Sequence, residues 1–250
     1  MKNKKIIWID IGTHFAQEYN SIFGSNVSFF FSICKRLISG NILGRGEPIN
    51  TLSIKEILFS RYSIRKREKD FYTIFVEPNY HIARKKNFYA YSNLFFNLAL
   101  TDNNSESTSV IKLFLGDGNT YSQGSSIFSN KHNVDQKIYI PTLGVPSNDF
   151  FRAMKMHLED KFSDYFVILR LNCEGVEDSV IYSAHNYFGN KLKLICGSLK
   201  DVREIKGLDD LNKLEDYIVT NKIKFSQFSL HINTWPNSQK EILKLIERLT

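Results

Sequence analysis

The stretch YFVILRLNCEG, residues 165–175, places the tightest constraint on how this chain folds. Its first residues are almost continuously apolar and lack the alternation of a strand with one face in water. A run of that kind belongs to a strand covered on both faces, as in a parallel sheet. Parallel strands need long crossovers, usually helical. The chain supplies them: apolar runs at KKIIWIDIG, FYTIFVEPN, KLKLICGSL and KFSQFSLHI alternate with helical patterns at HFAQEYNSIFG, SNDFFRAMKMHLED, EDSVIYSAHNYFG, LDDLNKLEDYIVTN and NSQKEILKLIERL. Strand, helix, strand in this rhythm predicts a doubly wound α/β sheet.

Finer expectations follow from local chemistry. Gly24 closes the first helix, and another helix starts near Tyr80 and crosses HIARKKNFYAY. NLFFNLALTD, TSVIKLFLGDG and KIYIP read as strands, with GDGN as a tight turn. Ser147 or Asn148 is placed to cap the helix over SNDFFRAMKMHLED. In CGSLKDVREIKG, Lys200, Asp201, Arg203 and Glu204 follow a strand end, where they either face substrate or, more simply, form a surface salt-bridged loop.

One segment breaks the rhythm. Between the first helix and the second strand lie residues 25–70, far more than a crossover needs. Val27, Phe30, Phe31, Cys34, Leu37 and Ile38 fall at helical spacing there, and Arg61, Arg65, Lys66, Arg67 and Lys69 make its end basic. The expected organisation is one domain, 1–250, carrying a helical insertion at 25–70.

Composition narrows the class of protein. With 42% apolar and 24% charged residues over 250 positions, the chain can bury a substantial core and is neither disordered nor fibrous. No stretch reaches the ~20 apolar residues of a membrane helix. The opening MKNKKIIWIDIG has too short an apolar run, interrupted by Asp10, to read as a signal peptide. Cys34, Cys173 and Cys196 are odd in number and far apart, which fits packing residues in a reducing cytoplasm and no zinc site. The histidines show no metal-ligand spacing. Residues 1–90 hold 15 Lys/Arg against 7 Asp/Glu, and the rest is nearly balanced. That asymmetry suits either a solvated face or an anionic partner such as nucleic acid.

Open α/β sheets bind ligands at the carboxyl ends of their strands. Asp10 and Gly12 sit at the first such end, where a glycine allows close backbone approach to a ligand; a plain strand-to-helix turn is the alternative. Glu77 ends the next strand, placed either for the hydroxyls of a ribose or as a surface acid. Asn172, Glu174, Gly175 and Glu177 follow the most apolar strand, where the acids either face the site or cap the next helix.

Taken in order, DIGTHFA, FVEPN, LALTD, QGSSIF and LRLNCEGVE resemble the motifs of the FkbM family of S-adenosylmethionine-dependent methyltransferases. The family pattern is roughly D-x-G-A-N-x-G, F-E-P-x-P, a Gly-Ser-Ser segment and K-I-D-V-E-G-A-E. The resemblance spans residues 6 to about 185. It implies a Rossmann-like methyltransferase sheet in which Asp10, Gly12, Thr13 and His14 hold the methionine part of S-adenosylmethionine. Glu77 would hold the ribose, Asp102 would lie near the adenine, and Ser125 and Ser126 would sit beside cofactor or substrate. His14 stands where the family has Asn, Ala16 where it has Gly, Arg170 where it has Lys and Asn172 where it has Asp. An amide cannot take a proton as a carboxylate can, so Glu174 is the expected base, beside Asn172, with His14 as the alternative. The acceptor implied is a hydroxyl of a sugar or glycan. The rival readings are a non-catalytic protein that keeps the fold, and a nucleic-acid binder using the basic insertion. The latter lacks an aromatic-basic RNA-binding signature.

Overall fold

The structure is a computed structural model, and it describes residues 4–38, 51–86, 88, 92–104, 107–121, 124–227 and 235–248. The chain runs through β1 (Lys5–Ile11), α1 (Gln17–Phe23), α2 (Asn26–Leu37), α3 (Thr51–Arg65), β2 (Phe71–Val76) and α4 (Tyr80–Lys86). Then come β3 (Leu94–Phe96), β4 (Ala99–Thr101), β5 (Ser109–Gly116), β6 (Val134–Pro146), α5 (Ser147–Lys161) and β7 (Tyr165–Leu171). It closes with α6 (Glu177–Phe188), β8 (Leu192–Gly197), α7 (Lys200–Lys206), α8 (Leu208–Thr220), β9 (Phe225–Gln227) and α9 (Trp235–Arg248).

The protein is α/β, with a six-stranded sheet in the order β3-β2-β1-β7-β8-β9 and helices against it. The pairs β1/β7, β2/β3 and β7/β8 are parallel. All seven residues of β7 are buried, as its continuous apolar run requires. Alternation divides the sheet's two faces. Ile7, Ile9 and Ile11 of β1 join Val167, Leu169 and Leu171 of β7 in one core with Phe151 and Leu158 of α5 and Val180, Ile181 and Ala184 of α6. Ile6, Trp8, Phe166 and Ile168, at the intervening positions, are buried as well.

By contacts the chain divides into two compact units. Residues 1–15 and 72–225 form the first, which holds the core just described. It also contains a three-stranded sheet, β4-β6-β5, with β4/β6 parallel and β5/β6 antiparallel, over a small core of Leu113, Leu115 and Ile140. Residues 16–71 and 226–250 form the second. There α3 packs on α1 and α9, and the Arg61 guanidinium hydrogen-bonds the carbonyls of Ile22 and Gly24 at the end of α1. Arg61 also lies over the Phe29 ring, 4.4 Å from its centroid. The apolar stripe of α2 turns the other way: Val27, Phe30, Phe31 and Ile38 are exposed. Within 25–70, positions 39–50 lie outside the described residues, as do the ends of two expected elements, at 87 and 89–91 and at 228–234.

Several local expectations are corrected by tertiary contacts. NLFFNLALTD is two short strands in two sheets, β3 and β4. Asn97, at the break, turns its side chain to the carbonyls of Glu77 and Pro78 and so ties the bend to the end of β2. The tight turn expected at GDGN is present, with Asp117 and Gly118 at φ 50° and 64° and the Asn119 N–H donating to the Gly116 carbonyl at 3.0 Å, although Gly116 pairs with Val134 and the turn does not itself join β5 to β6. The N-cap position of α5 is Pro146; the Ser147 hydroxyl donates to the Thr101 carbonyl, and Asn103 accepts from the Asn148 N–H. CGSLKDVREIKG contains a helix, α7, with Asp201 and Val202 buried.

Candidate functional site

The strand order reverses between β1 and β7, since the chain leaves β1 for β2 on one side and later returns to β7 on the other. Such a switch point is where open sheets accommodate ligands. Asp10 and Arg170 face each other there in register, the Arg170 Nη1 3.1 Å from Asp10 Oδ1, and both residues are buried. The same nitrogen donates to the Gly12 carbonyl at 2.6 Å. Arginine in place of the family's lysine therefore acts as the internal counter-charge of Asp10. With no exposed surface, Asp10 shapes the turn and does not reach a ligand itself.

The loop after β1 is strung between its neighbours. The N–H groups of Gly12 and Thr13 both donate to the Val76 carbonyl, and the Asn172 N–H donates to the Ile11 carbonyl. Gly12 has φ 68°, and a Cβ there would lie 2.0 Å from the Asn172 carbonyl oxygen. The close approach that demands glycine is thus to the chain's own backbone, not to a ligand. Thr13 is buried, its hydroxyl donating to the Asp10 carbonyl. His14 and Ala16 take φ of 48° and 51°, the left-handed region. A glycine at the second, as in the family pattern, would hold that conformation without strain.

Glu77 is placed by this loop. Its Oε2 accepts from the His14 N–H at 2.6 Å and its Oε1 from the Asn79 N–H at 2.9 Å. Burial pushes its carboxyl up to about 7, while the two N–H groups oppose the shift. A carboxylate offers about four lone-pair sites. Two are taken, and two remain, the number that the vicinal hydroxyls of a ribose would need.

The loop after β7 is held more tightly than the sequence suggests. Glu177 is buried and accepts from the N–H groups of Cys173 and Gly175 at 3.1 and 2.8 Å, with its carboxyl raised by burial to about 7. Burial likewise pushes the Cys173 thiol well above its ordinary range, which removes it as a thiolate nucleophile. Glu174, at φ 58°, forms an ion pair with Lys131, whose ammonium also lies 3.5 Å from Asp201 and donates to the Gly124 carbonyl. The Asn172 amide stands 3.5 Å from the other Glu174 oxygen. An ion-paired carboxylate is a weaker proton acceptor than a lone one. Burial lowers Lys131's affinity for its own proton, and the carboxylates around it work the other way.

Ser126 is buried, donating to the Glu174 carbonyl at 2.7 Å and accepting from the Phe128 N–H, so it fixes the loop. Ser125 accepts from the Gly116 N–H. Asp102 follows β4 and is held by Lys206 at 2.6 Å and by the Ser179 hydroxyl at 2.8 Å. Lys206 also grips Asp178; burial works against its charge, but the two carboxylates prevail and raise its proton affinity.

The structure brings Asp10, Gly12, Thr13, His14 and Glu77 together, places the Asn172 carbonyl against Gly12 and the Asn172 amide by Glu174, and links Ser126 to Glu174 through its carbonyl. It ties Asp102 separately, to α6 and α7. Sequence reasoning missed Lys131, Lys206 and Asn79, which carry no local signal: each is an ordinary loop or helix-end residue until the chain folds. The three arginines of the basic run make internal bonds, Arg61 and Arg65 to the Gly24 carbonyl and Arg67 to Asp70, while Lys66 and Lys69 are exposed. Of the histidines, His132 pairs with Glu204, and His157 and His185 bond the hydroxyls of Tyr72 and Tyr217. Among the described residues no cluster could hold a metal ion, and no helix is long and apolar enough to cross a membrane. Comparison with family models, curated proteins and solved structures finds no match for this chain.

Proposed function

We propose that the protein is an S-adenosylmethionine-dependent methyltransferase acting on an oxygen acceptor. The observation that carries the reading is Glu77: a carboxyl at the tip of the second strand, only 4% exposed, aimed by two backbone N–H groups and left with two lone-pair sites. The resemblance of four ordered motifs to those of the FkbM family supports the same reading, and on it a sugar or glycan hydroxyl is the acceptor class.

In this reading Glu77 holds the ribose, the loop of Gly12, Thr13 and His14 borders the methionine part, and Asp102 lies towards the adenine. Asp10 acts through Arg170 by keeping the Gly12 carbonyl in place. S-adenosylmethionine, once bound, would supply an electrophilic sulfonium methyl to the acceptor oxygen, with the electron pair of the carbon–sulfur bond left on sulfur and the acceptor's hydroxyl proton given up. Asn172 orients that hydroxyl and Glu174 takes the proton, steadied by Lys131. Holding the reacting atoms in line supplies most of the acceleration, and a base adds roughly 10²–10⁴-fold.

The Lys131–Glu174 pair favours a second reading, in which the fold binds the cofactor without turning it over. Calorimetric titration of S-adenosylmethionine into the full chain, beside Glu77→Ala, tests the first. Micromolar binding lost in the variant upholds the ribose assignment, and no binding by the native chain overturns it. Binding with no S-adenosylhomocysteine formed across a panel of hydroxyl acceptors selects the second reading.

A further inference from the structure

A cavity of about 710 Å³ opens in the first unit beside Asp102, within the size range of small-molecule sites. Its main wall is one face of the β5/β6 ribbon. Strand alternation sends Leu113, Leu115 and Ile140 to the core, and Val110, Lys112, Phe114, Tyr139 and Pro141 to the cavity. An antiparallel ribbon normally presents polar side chains on its outer face. Here that face is apolar and aromatic, with Val110 74% and Tyr139 44% exposed, and Phe128 closes the cavity from the loop behind.

Two polar groups mark what the cavity takes. Thr101 lines it and is 7% exposed, yet its hydroxyl has no hydrogen-bond partner among the described residues. A buried hydroxyl without a partner costs free energy that a ligand can return. Lys112 is the second: it lies 4.2 Å over the Tyr139 ring and has no carboxylate partner among the described residues, while Lys206 nearby is committed to Asp102 and Asp178. Apolar flat walls, one cation at the rim and one unsatisfied hydroxyl within describe a single class of molecule.

We propose that this cavity binds a hydroxyaromatic carboxylic acid, its ring against Phe114, Tyr139 and Phe128, its carboxylate at Lys112 and its ring hydroxyl at Thr101. Binding at this cavity needs no cofactor and is independent of the methyltransferase reading.

The test titrates 4-hydroxybenzoate into the full chain without cofactor, followed by ligand-observed NMR, with adenosine and glucose 6-phosphate as competitors. Expected are saturable binding, a loss of about tenfold in Lys112→Gln, an exposed site whose change spares the fold, and loss of more than tenfold in Phe114→Ala. Thr101→Val weakens 4-hydroxybenzoate but not benzoate. No saturable binding, equal affinity in Lys112→Gln, or displacement by adenosine or glucose 6-phosphate at lower concentration than by unlabelled 4-hydroxybenzoate overturns the proposal. If 4-hydroxybenzoate binds as expected while S-adenosylmethionine does not, the cavity stands and the methyltransferase reading falls.

Discussion

Arg170 reaches across from β7 to neutralise Asp10 on β1, and this one contact, between residues both buried, sits where the sheet's strand order turns round. Removing one partner strands the other charge in the interior. Arg170→Met is expected to lower stability by roughly 3–5 kcal/mol. Adding Asp10→Leu restores most of it, because an apolar pair of similar volume replaces the ions without leaving a charge behind. Urea denaturation of the three variants reads the difference, and additive losses in the double variant count against the pairing.

Gly12 offers a sharper case. Its φ of 68° and the 2.0 Å between a built Cβ and the Asn172 carbonyl oxygen leave alanine no place. The obstacle is backbone, which cannot swing aside as a side chain does. Gly12→Ala should cost about 3 kcal/mol or more, combining strain with a clash. A midpoint shift of less than about 1 kcal/mol equivalent would show that the loops after β1 and β7 separate easily.

Glu77 and Glu177 make stability depend on pH. Burial raises both carboxyls to about 7 in the folded state, above an unfolded value of about 4.3. The folded state therefore binds more protons between these values. Stability is greatest below about pH 4.5 as far as these two groups decide it, and is lost as pH rises through 7, on the order of 3 kcal/mol for each. Denaturation midpoints from pH 5 to 8 measure the slope, and each single Glu→Gln removes about half of it, whatever it does to the absolute value.

Ligand binding should run the other way. A ribose is held by the ionised form of Glu77, so affinity for S-adenosylmethionine weakens about tenfold per pH unit below 7 and levels off above it. Calorimetry at pH 6, 7 and 8 gives the profile. Affinity flat across that range would remove Glu77 from the site.

For Glu174, the variant Glu174→Gln keeps the shape and loses the base. Turnover is expected to fall by roughly 10²–10⁴-fold with cofactor affinity within about twofold. Unchanged turnover in Glu174→Gln assigns it to holding Lys131 alone.

In the second unit, Arg61 closes the carbonyl end of α1 and covers Phe29. Burial, with Arg65 alongside, lowers its proton affinity to about 10, still charged at neutral pH. Arg61→Ala takes the guanidinium from the Ile22 carbonyl, while Arg65 still donates to that of Gly24, at about 1–3 kcal/mol. Faster amide hydrogen exchange through α1 is the expected sign, with exchange in β1 and β7 unchanged.

Much of this molecule could be read from its residues in line. The parallel sheet, the order of strands and helices, and the acids at the strand ends follow from local periodicity, because burial on two faces writes a continuous apolar run and a helix writes a period near four. The sequence also put Asp10, Glu77 and Glu174 at the right ends of their strands. It could not say which of these acids were already answered. Asp10 meets Arg170 across 160 positions and Glu174 meets Lys131 across 43. Nor could it split NLFFNLALTD between two sheets, or turn an apolar ribbon face into a cavity wall. Charge pairing, the positive φ at Gly12 and the orphaned hydroxyl of Thr101 arise only when distant segments meet, since an ion's partner and a hydroxyl's solvent are set by what lies beside them in space.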